Sequence, residues 1–373
     1  MNIKFVLKQY VKMFVQSVVL PIVYSLHKYK PIEENLVIFA DAHNSSMPYS
    51  MEYLYNELSK QQYTIETHIQ NYATASFFHT VKGMLFFMKR YARAKYVIVC
   101  DNYLPVASCN KRSQTKVIQL WHACGAYKKF GRDAMDDVPY YYRGNVLKNI
   151  DLVTVSSEYC IPFFSSAMHL PKETFWPIGV SRTDQFFKEE YKERCKEKFY
   201  TQYPQAGNKK IILWAPTFRG NAGMPILVGD KEIEKLSREL GDEYYVITKL
   251  HPHMEEKFKL SNCSMPTEEL LPVADMLITD YSSIIFEFTI LHKPIVFFVP
   301  DYVEYTSKRG FYLDSSELPG ERVMTSSELK NVVIDQFTNY NLEKANKFYD
   351  KYMNACDGSA TDRIISLLVK EEL

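Results

Sequence analysis

Short apolar runs recur along the chain, each closed by a polar turn and followed by a longer stretch with helical spacing. Leu36–Ala40 is the first such run, rich in β-formers, and the turn Asp41–Pro48 follows it. A helical pattern then begins at about Ser50 and carries Met51, Leu54, Tyr55 and Leu58 on one face. Tyr96–Cys100, ending at Asp101-Asn102, repeats the strand pattern, as do Val117–Trp121 and Leu152–Val155. Strands apolar throughout, alternating with helices, predict a parallel sheet covered on both faces. The run Lys188–Tyr200 is charged and helical in composition and ends in the polar turn Tyr203–Gly207, which places a domain boundary at about 185–208. A second series follows: Lys210–Trp214, Tyr244–Thr248, Met276–Thr279 and Ile295–Val299. Two successive series predict an α/β chain of two doubly wound, Rossmann-like domains, with ligand sites at the carboxyl ends of the strands.

The first thirty residues break this pattern. Lys4, Lys8, Lys12, Lys28 and Lys30 occur before the first acid, Glu33, and flank an apolar stretch from Met13 to Leu26. About 14 residues is shorter than the ~20 that a spanning helix needs. A signal peptide would place its charge before the apolar run and a small-residue cleavage site after it. Here the run leads into Leu26-His27-Lys28-Tyr29-Lys30. Residues 1–30 therefore read as a basic amphipathic helix that associates with an anionic membrane surface. The plainer alternative is a helix packed on the protein body.

Composition narrows the chemistry. A length of 373 residues suits two domains of ordinary size. A net charge of +1 gives no global field for nucleic acid, so anion binding must be local. The seven cysteines, at 100, 109, 124, 160, 195, 263 and 356, form no C-x-x-C pair and fit free thiols. Neither a metal-ligand cluster nor a cofactor motif is evident; G-x-x-x-x-G-K-[ST], G-x-G-x-x-G and H-E-x-x-H are all missing. Phosphate binding must then rest on helix ends and side chains.

The polar residues of interest fall just after expected strands. His122 follows Trp121, and a histidine there can serve as a general base because its ordinary pKa lies near neutrality. Gly125 permits a tight turn beyond it, and Lys128 and Lys129 are placed to meet an anion. In Ala215-Pro216-Thr217-Phe218-Arg219, Thr217 offers a hydroxyl and Arg219 a planar donor fork suited to phosphate. Lys249 and His251, in Lys249-Leu250-His251-Pro252-His253, would project to one side of an extended segment and could both donate to a diphosphate. The sharpest pattern is Thr279-Asp280-Tyr281-Ser282-Ser283 before an apolar helix, where two hydroxyls stand beside free backbone N–H groups. A simple helix cap at Ser282 or Ser283 uses the same geometry and is compatible with it.

Together with Lys308-Arg309-Gly310-Phe311-Tyr312, these motifs stand in the order found in one family, and over about residues 35–345 the chain resembles the CDP-glycerol glycerophosphotransferases of teichoic acid synthesis. The resemblance implies a GT-B-type fold with the active site between the domains, attached peripherally to the cytoplasmic face of the cell membrane. It implies His122 as the base that deprotonates the acceptor hydroxyl. Thr217, Arg219, Lys249, His251, Asp280, Ser282, Ser283 and Arg309 are implied to hold the donor, with Lys128 and Lys129 on the acceptor side. The domains so implied are an acceptor-side domain at 31–190, a CDP-donor domain at 205–345 and a C-terminal helix at 346–373. The implied partners are CDP-glycerol or a related CDP-polyol, and a lipid-linked saccharide acceptor.

Two positions depart from the polymerase pattern: Ala123-Cys124 where Gly-Thr is usual, and Glu287 where an aspartate is common. They bear on acceptor and polyol rather than on reaction class. The short chain looks like a primase that adds the first glycerol phosphate to a lipid-linked disaccharide, with ribitol transfer or short polymerisation as alternatives. Outside this family the rivals are a nucleotide-sugar glycosyltransferase, in which Glu287 would grip a ribose, and a non-catalytic membrane-bound binding protein.

Overall fold

The computed structural model describes residues 10–134, 145–221, 224–250, 254–255 and 258–370. Its described residues divide into two compact units. The first is drawn from Met1–His122, Val138–Asp184 and Ala355–Leu373, the second from Ala123–Asp137 and Gln185–Asn354.

The first unit is built on a six-stranded parallel sheet in the order β2-β1-β3-β4-β5-β6. These strands are β1 (Glu33–Asp41), β2 (Thr64–Ile69), β3 (Ala94–Val99), β4 (Lys116–Gln119), β5 (Leu152–Thr154) and β6 (Phe175–Trp176). Leu36–Ala40 and Val97–Val99 are buried, as the apolar runs require of strands covered on both faces. Helices α1 (Leu20–His27), α2 (Tyr49–Leu58) and α3 (Phe77–Tyr91) supply covering side chains, and so does α4 (Ile161–Met168). The order of strand addition reverses between β1 and β3, with β2 on one side of β1 and β3 to β6 on the other. Doubly wound sheets open a ligand crevice at such a switch point, at the carboxyl ends of the strands.

The second unit repeats the plan with a five-stranded parallel sheet, ordered β10-β7-β11-β12-β13. Its strands are β7 (Lys210–Ala215), β10 (Tyr244–Thr248), β11 (Met276–Thr279), β12 (Ile295–Phe298) and β13 (Glu321–Val323). An antiparallel hairpin, β8 (Arg219–Asn221) with β9 (Met224–Ile226), leaves the end of β7. Helices α5 (Glu189–Gln202), α6 (Asp230–Leu240), α7 (Ile284–Thr289), α8 (Tyr302–Arg309), α9 (Ser326–Asn339) and α10 (Leu342–Tyr352) complete it. Here the switch point lies between β7 and β11.

The last helix, α11 (Ala360–Lys370), belongs to the first unit. Asp184, itself buried, accepts from the N–H groups of Ala360 (3.2 Å) and Thr361 (2.7 Å), satisfying donors that a helix start leaves free. Ile364 and Leu368 enter the core, and the Tyr96 hydroxyl donates to the Leu368 carbonyl. The span from 346 thus holds the end of one helix in the second unit and a whole helix in the first.

The third expected strand ends earlier than its apolar run. β4 stops at Gln119, and Trp121 has φ +58°, in the left-handed region where a bulky residue is rare. The Gln119 side chain explains the turn, because its Oε1 accepts the Trp121 N–H at 3.1 Å.

Candidate active site

Three polar elements converge at the carboxyl edge of the first sheet. Asp41, at the end of β1, is buried, and its Oδ2 accepts the N–H groups of His43 (2.8 Å) and Asn44 (2.7 Å). This tight Asx turn presents His43 toward the end of β3. There Asp101 Oδ1 lies 3.9 Å from His43 Nε2, and Asp101 Oδ2 lies 3.4 Å from His122 Nδ1. Arg182, also buried, donates to Ser50 Oγ (2.8 Å) and to the His122 carbonyl (2.9 Å). The backbone of His122 is therefore held by a cation and its ring is faced by an anion.

About half of the His122 side-chain surface (48%) remains exposed. Protein crowds the rest of the ring, and the loss of hydration lowers its pKa from the ordinary 6.5. Asp101 and a hydrogen bond to the Cys100 backbone pull upward, while Arg182 and His43 push down, and the net shift is down. A ring that stays neutral at pH 7, with Nδ1 turned to a carboxylate, leaves Nε2 to take a proton.

The second unit carries its polar cluster at its own switch point. Asp280 follows β11 directly, and its Oδ1 accepts the N–H groups of Thr217 (2.9 Å) and Tyr281 (2.6 Å). Its Oδ2 takes an N–H of Arg219 at 2.9 Å. Arg219 also donates to the Thr217 carbonyl and makes a two-pronged pair with Asp301, Nε to Oδ2 at 2.6 Å and Nη2 to Oδ1 at 2.9 Å. Its guanidinium lies 4.9 Å from the Tyr281 ring centroid and 4.7 Å from that of Tyr305, and these two rings stack at 3.9 Å. The sequence marks Arg219 as a phosphate fork. In the structure four of its five N–H donors go to Asp280, Asp301 and Thr217. These bonds fix the loops that carry Thr217 and Ser282 and leave one of the five N–H donors for a phosphate.

Other expected donor residues are placed around this cluster or apart from it. Ser282 accepts the Ile284 N–H at a long 3.4 Å, and Ser283 stands at the start of α7 without a side-chain cap bond. Both are half-buried, and α7 has only six residues. Arg309 ends α8, and its charge acts on Tyr305. Lys249 donates to Glu255 Oε1 at 2.7 Å, so a diphosphate there must share or displace that carboxylate. His251 lies outside the described residues.

Lys128 and Lys129, expected on the acceptor side, belong instead to the second unit. Backbone pairing decides their place: Lys128 forms a β-bridge with Phe311, and the Lys129 N–H donates to the Gly310 carbonyl. The Tyr127 hydroxyl reaches the Asp280 carbonyl at 3.3 Å, and its ring packs on Phe311. Gly125 has φ +60°, and a Cβ there would lie 2.2 Å from the Phe286 ring, so only glycine fits.

Motif reading overlooked Asp101, Arg182, His43 and Asp301. Asp101 carried a usable signal, since it is a carboxylate at a strand end. Asp301, two residues beyond the expected strand Ile295–Val299, carried a weaker form of the same signal, and Arg182 carried none, because its sequence neighbours follow no pattern that separates it from surface charges. Among the described residues no group of three or more His, Cys, Asp or Glu could hold a metal ion.

The family model for CDP-glycerol:poly(glycerophosphate) glycerophosphotransferases matches residues 22–370. The chain belongs to this family. Among its relatives, the teichoic acid poly(ribitol-phosphate) polymerase of Bacillus spizizenii is 32% identical over 93% of this chain, which spans 58% of that protein's length. The teichoic acid glycerol-phosphate primase of Bacillus subtilis is 35% identical over 73% of this chain and 73% of its own. The wall teichoic acid polymerase TagF superposes with a TM-score of 0.76 at 22% identity, covering 99% of this chain and 98% of that one. That likeness establishes the GT-B-type fold, with two doubly wound units.

Proposed function

We propose that this family member transfers glycerol phosphate from CDP-glycerol to a hydroxyl of a lipid-linked saccharide, releasing CMP in teichoic acid synthesis. The observation that carries the reading is the His122–Asp101 pair at the carboxyl edge of the first sheet, in a chain matched by the family model over nearly its whole length. His122 Nε2 takes the acceptor proton as that oxygen attacks the β-phosphorus of the donor; the bond from that phosphorus to the bridging oxygen breaks, and CMP leaves. Ser282, Ser283 and Arg309 are the second unit's groups for the donor diphosphate, the serines on a loop fixed by the Asp280–Arg219–Asp301 cluster and Arg309 at the end of α8. Positioning and charge stabilisation supply most of the rate in such transfers.

Ribitol phosphate is the second reading, favoured by the ribitol-phosphate polymerase that aligns with 93% of the chain. Purified protein, offered CDP-glycerol or CDP-ribitol with a lipid-linked disaccharide, separates the two by CMP release and product mass. One added glycerol phosphate supports the first reading and turnover with CDP-ribitol alone the second. Silence with both CDP-polyols, with turnover of a nucleotide sugar, would overturn polyol-phosphate transfer.

The chain is proposed to reach its lipid-linked acceptor from the membrane surface. Among the described residues no helix is long and apolar enough to cross a membrane. Helix α1 anchors on the first unit through Leu20 and Tyr24, whose ring meets Tyr91 of α3. Its other side leaves Ile22 and Leu26 exposed, with Met13 and Phe14 before it. Helix α3 adds Phe78, Lys82, Phe86 and Lys89, all exposed and on one face at spacings of four, four and three. Apolar side chains beside lysines suit an anionic interface. Phe78→Asp with Phe86→Asp is expected to cut sedimentation with phosphatidylglycerol vesicles about tenfold, while turnover of a water-soluble acceptor is retained. Unchanged sedimentation would remove α3 from the surface.

A further inference from the structure

Gln119 has a part that neither the motifs nor the proposed reaction assigns. It is the last residue of β4, fully buried, and its carboxamide spans the gap to the end of β3. Nε2 donates to the Asp101 carbonyl at 3.2 Å, and Oε1 accepts the Trp121 N–H at 3.1 Å. One amide thus touches the backbone of Asp101 and of the residue before His122. Its orientation is fixed, because a flip would set N–H against N–H and oxygen against oxygen.

Both contacts bear on the base. Trp121 sits at φ +58°, a conformation disfavoured for an L-residue, and an acceptor for its N–H helps to hold it there. That turn delivers His122 to the side of Asp101, where Nδ1 and Oδ2 lie 3.4 Å apart. The same amide restrains the backbone from which the Asp101 carboxylate projects. Asp101 Oδ1 is further tied by the N–H of Asn102 at 2.6 Å.

We propose that Gln119 is a positioning residue for His122, holding Trp121 and Asp101 so that the ring keeps its proton on Nδ1 and presents Nε2 as the base. The inference rests on the reading of His122 as that base. Methionine has similar length and apolar bulk but offers neither a strong donor nor a strong acceptor, so Gln119→Met deletes both contacts with little change in packing. Gln119→Glu is the conservative variant: burial beside Asp101 favours its protonated carboxyl, which keeps an acceptor for the Trp121 N–H and an O–H donor for the Asp101 carbonyl.

Two measurements test this on the full chain. In steady-state CMP release, Gln119→Met is expected to lower kcat about 10- to 100-fold with KM for the CDP-polyol within a factor of two, since the donor residues lie in the other unit. Gln119→Glu should keep kcat within a few-fold of native, because both contacts survive in its protonated carboxyl. Histidine 15N shifts, assigned through a His122→Gln variant, report the tautomer and need no turnover. The native ring should show Nδ1–H, and Gln119→Met should mix the tautomers. A Gln119→Met protein with native tautomer and native kcat overturns the proposal. Tautomer mixing in a protein that releases CMP from no CDP-polyol would uphold the clamp and overturn the proposed reaction instead. If Gln119→Met does not fold, the native spectrum decides, and a His122 ring that carries its proton on Nε2 overturns the proposal.

Discussion

Alanine at His122 is expected to lower CMP release by about 10²- to 10⁴-fold, the usual worth of a positioned general base. Donor binding should survive, because the groups proposed for the donor, Ser282, Ser283 and Arg309, belong to the second unit and His122 to the first. The change should therefore fall on kcat, with KM for the CDP-polyol altered little. The native enzyme's pH dependence follows from the lowered pKa of this ring. With His122 as the proposed base, turnover needs the neutral ring, so the rate should hold through neutrality and be lost as pH falls through a value below 6.5. Asp101→Asn removes the upward pull of the carboxylate and should move that limb further toward acid, while lowering kcat through loss of orientation. The same shift has a cost in stability. A histidine whose folded pKa is depressed binds its proton more readily when unfolded, so protonation below about pH 6.5 favours unfolding. A His122→Ala kcat within tenfold of native would show that the proton leaves by another route.

The main strands were legible because strands covered on both faces must be apolar along their length, and Leu36–Ala40, Lys210–Trp214 and Met276–Thr279 are marked against polar turns. Edge and short strands gave no such signal. β2, with sequence Thr-Ile-Glu-Thr-His-Ile, lies at a sheet edge with half-exposed side chains, and β6 has two residues. The end of β4 was misjudged for a related reason. Leu120 and Trp121 extend the apolar run, but the turn depends on a side-chain bond from Gln119 that periodicity does not encode. In the site, His122 and Asp280 were visible as polar residues after strands. Their pairings were not, because Asp101, Arg182 and Asp301 stand apart from them in the chain and only the fold brings them together. Arg219 is the instructive case: its residue type is suited to phosphate, yet the fold has provided two carboxylates for it. Where a fork's donors go is a tertiary fact.

Asp280→Ala is expected to destabilise the second unit by about 3 kcal/mol, near the lower end for breaking a buried charged pair. Asp280 is 3% exposed and serves three donors, the N–H groups of Thr217 and Tyr281 and the Arg219 guanidinium. Alanine leaves all three short of an acceptor away from water, and each such loss carries a desolvation penalty. The figure stays near the lower end because Asp301 still grips Arg219 through two bonds. Asparagine keeps an oxygen for the backbone donors and turns its NH2 group toward Arg219, so only the Arg219 contact is lost and Asp280→Asn should cost less than Asp280→Ala. Removing the cation as well should recover part of the loss, and Asp280→Asn with Arg219→Met is expected to be less destabilised than the two single changes summed. Trp214, on β7, reports on this core; with Trp121 and Trp176 replaced by phenylalanine, its fluorescence through a denaturant titration reads the second unit alone. Acid should weaken the same cluster. Burial works to raise the pKa of Asp301, but Arg219 outweighs it and holds the carboxyl below the usual aspartate range. The stability it contributes is present above the unfolded pKa, near 4, and is lost as pH falls through the lower folded value. An Asp280→Ala midpoint equivalent to less than about 1 kcal/mol would mean that Asp301 alone holds Arg219 and that the loop after β11 needs no carboxylate. In that case Asp280 would be free to face the donor, and its loss should appear as a raised KM for the CDP-polyol instead of a lowered unfolding midpoint.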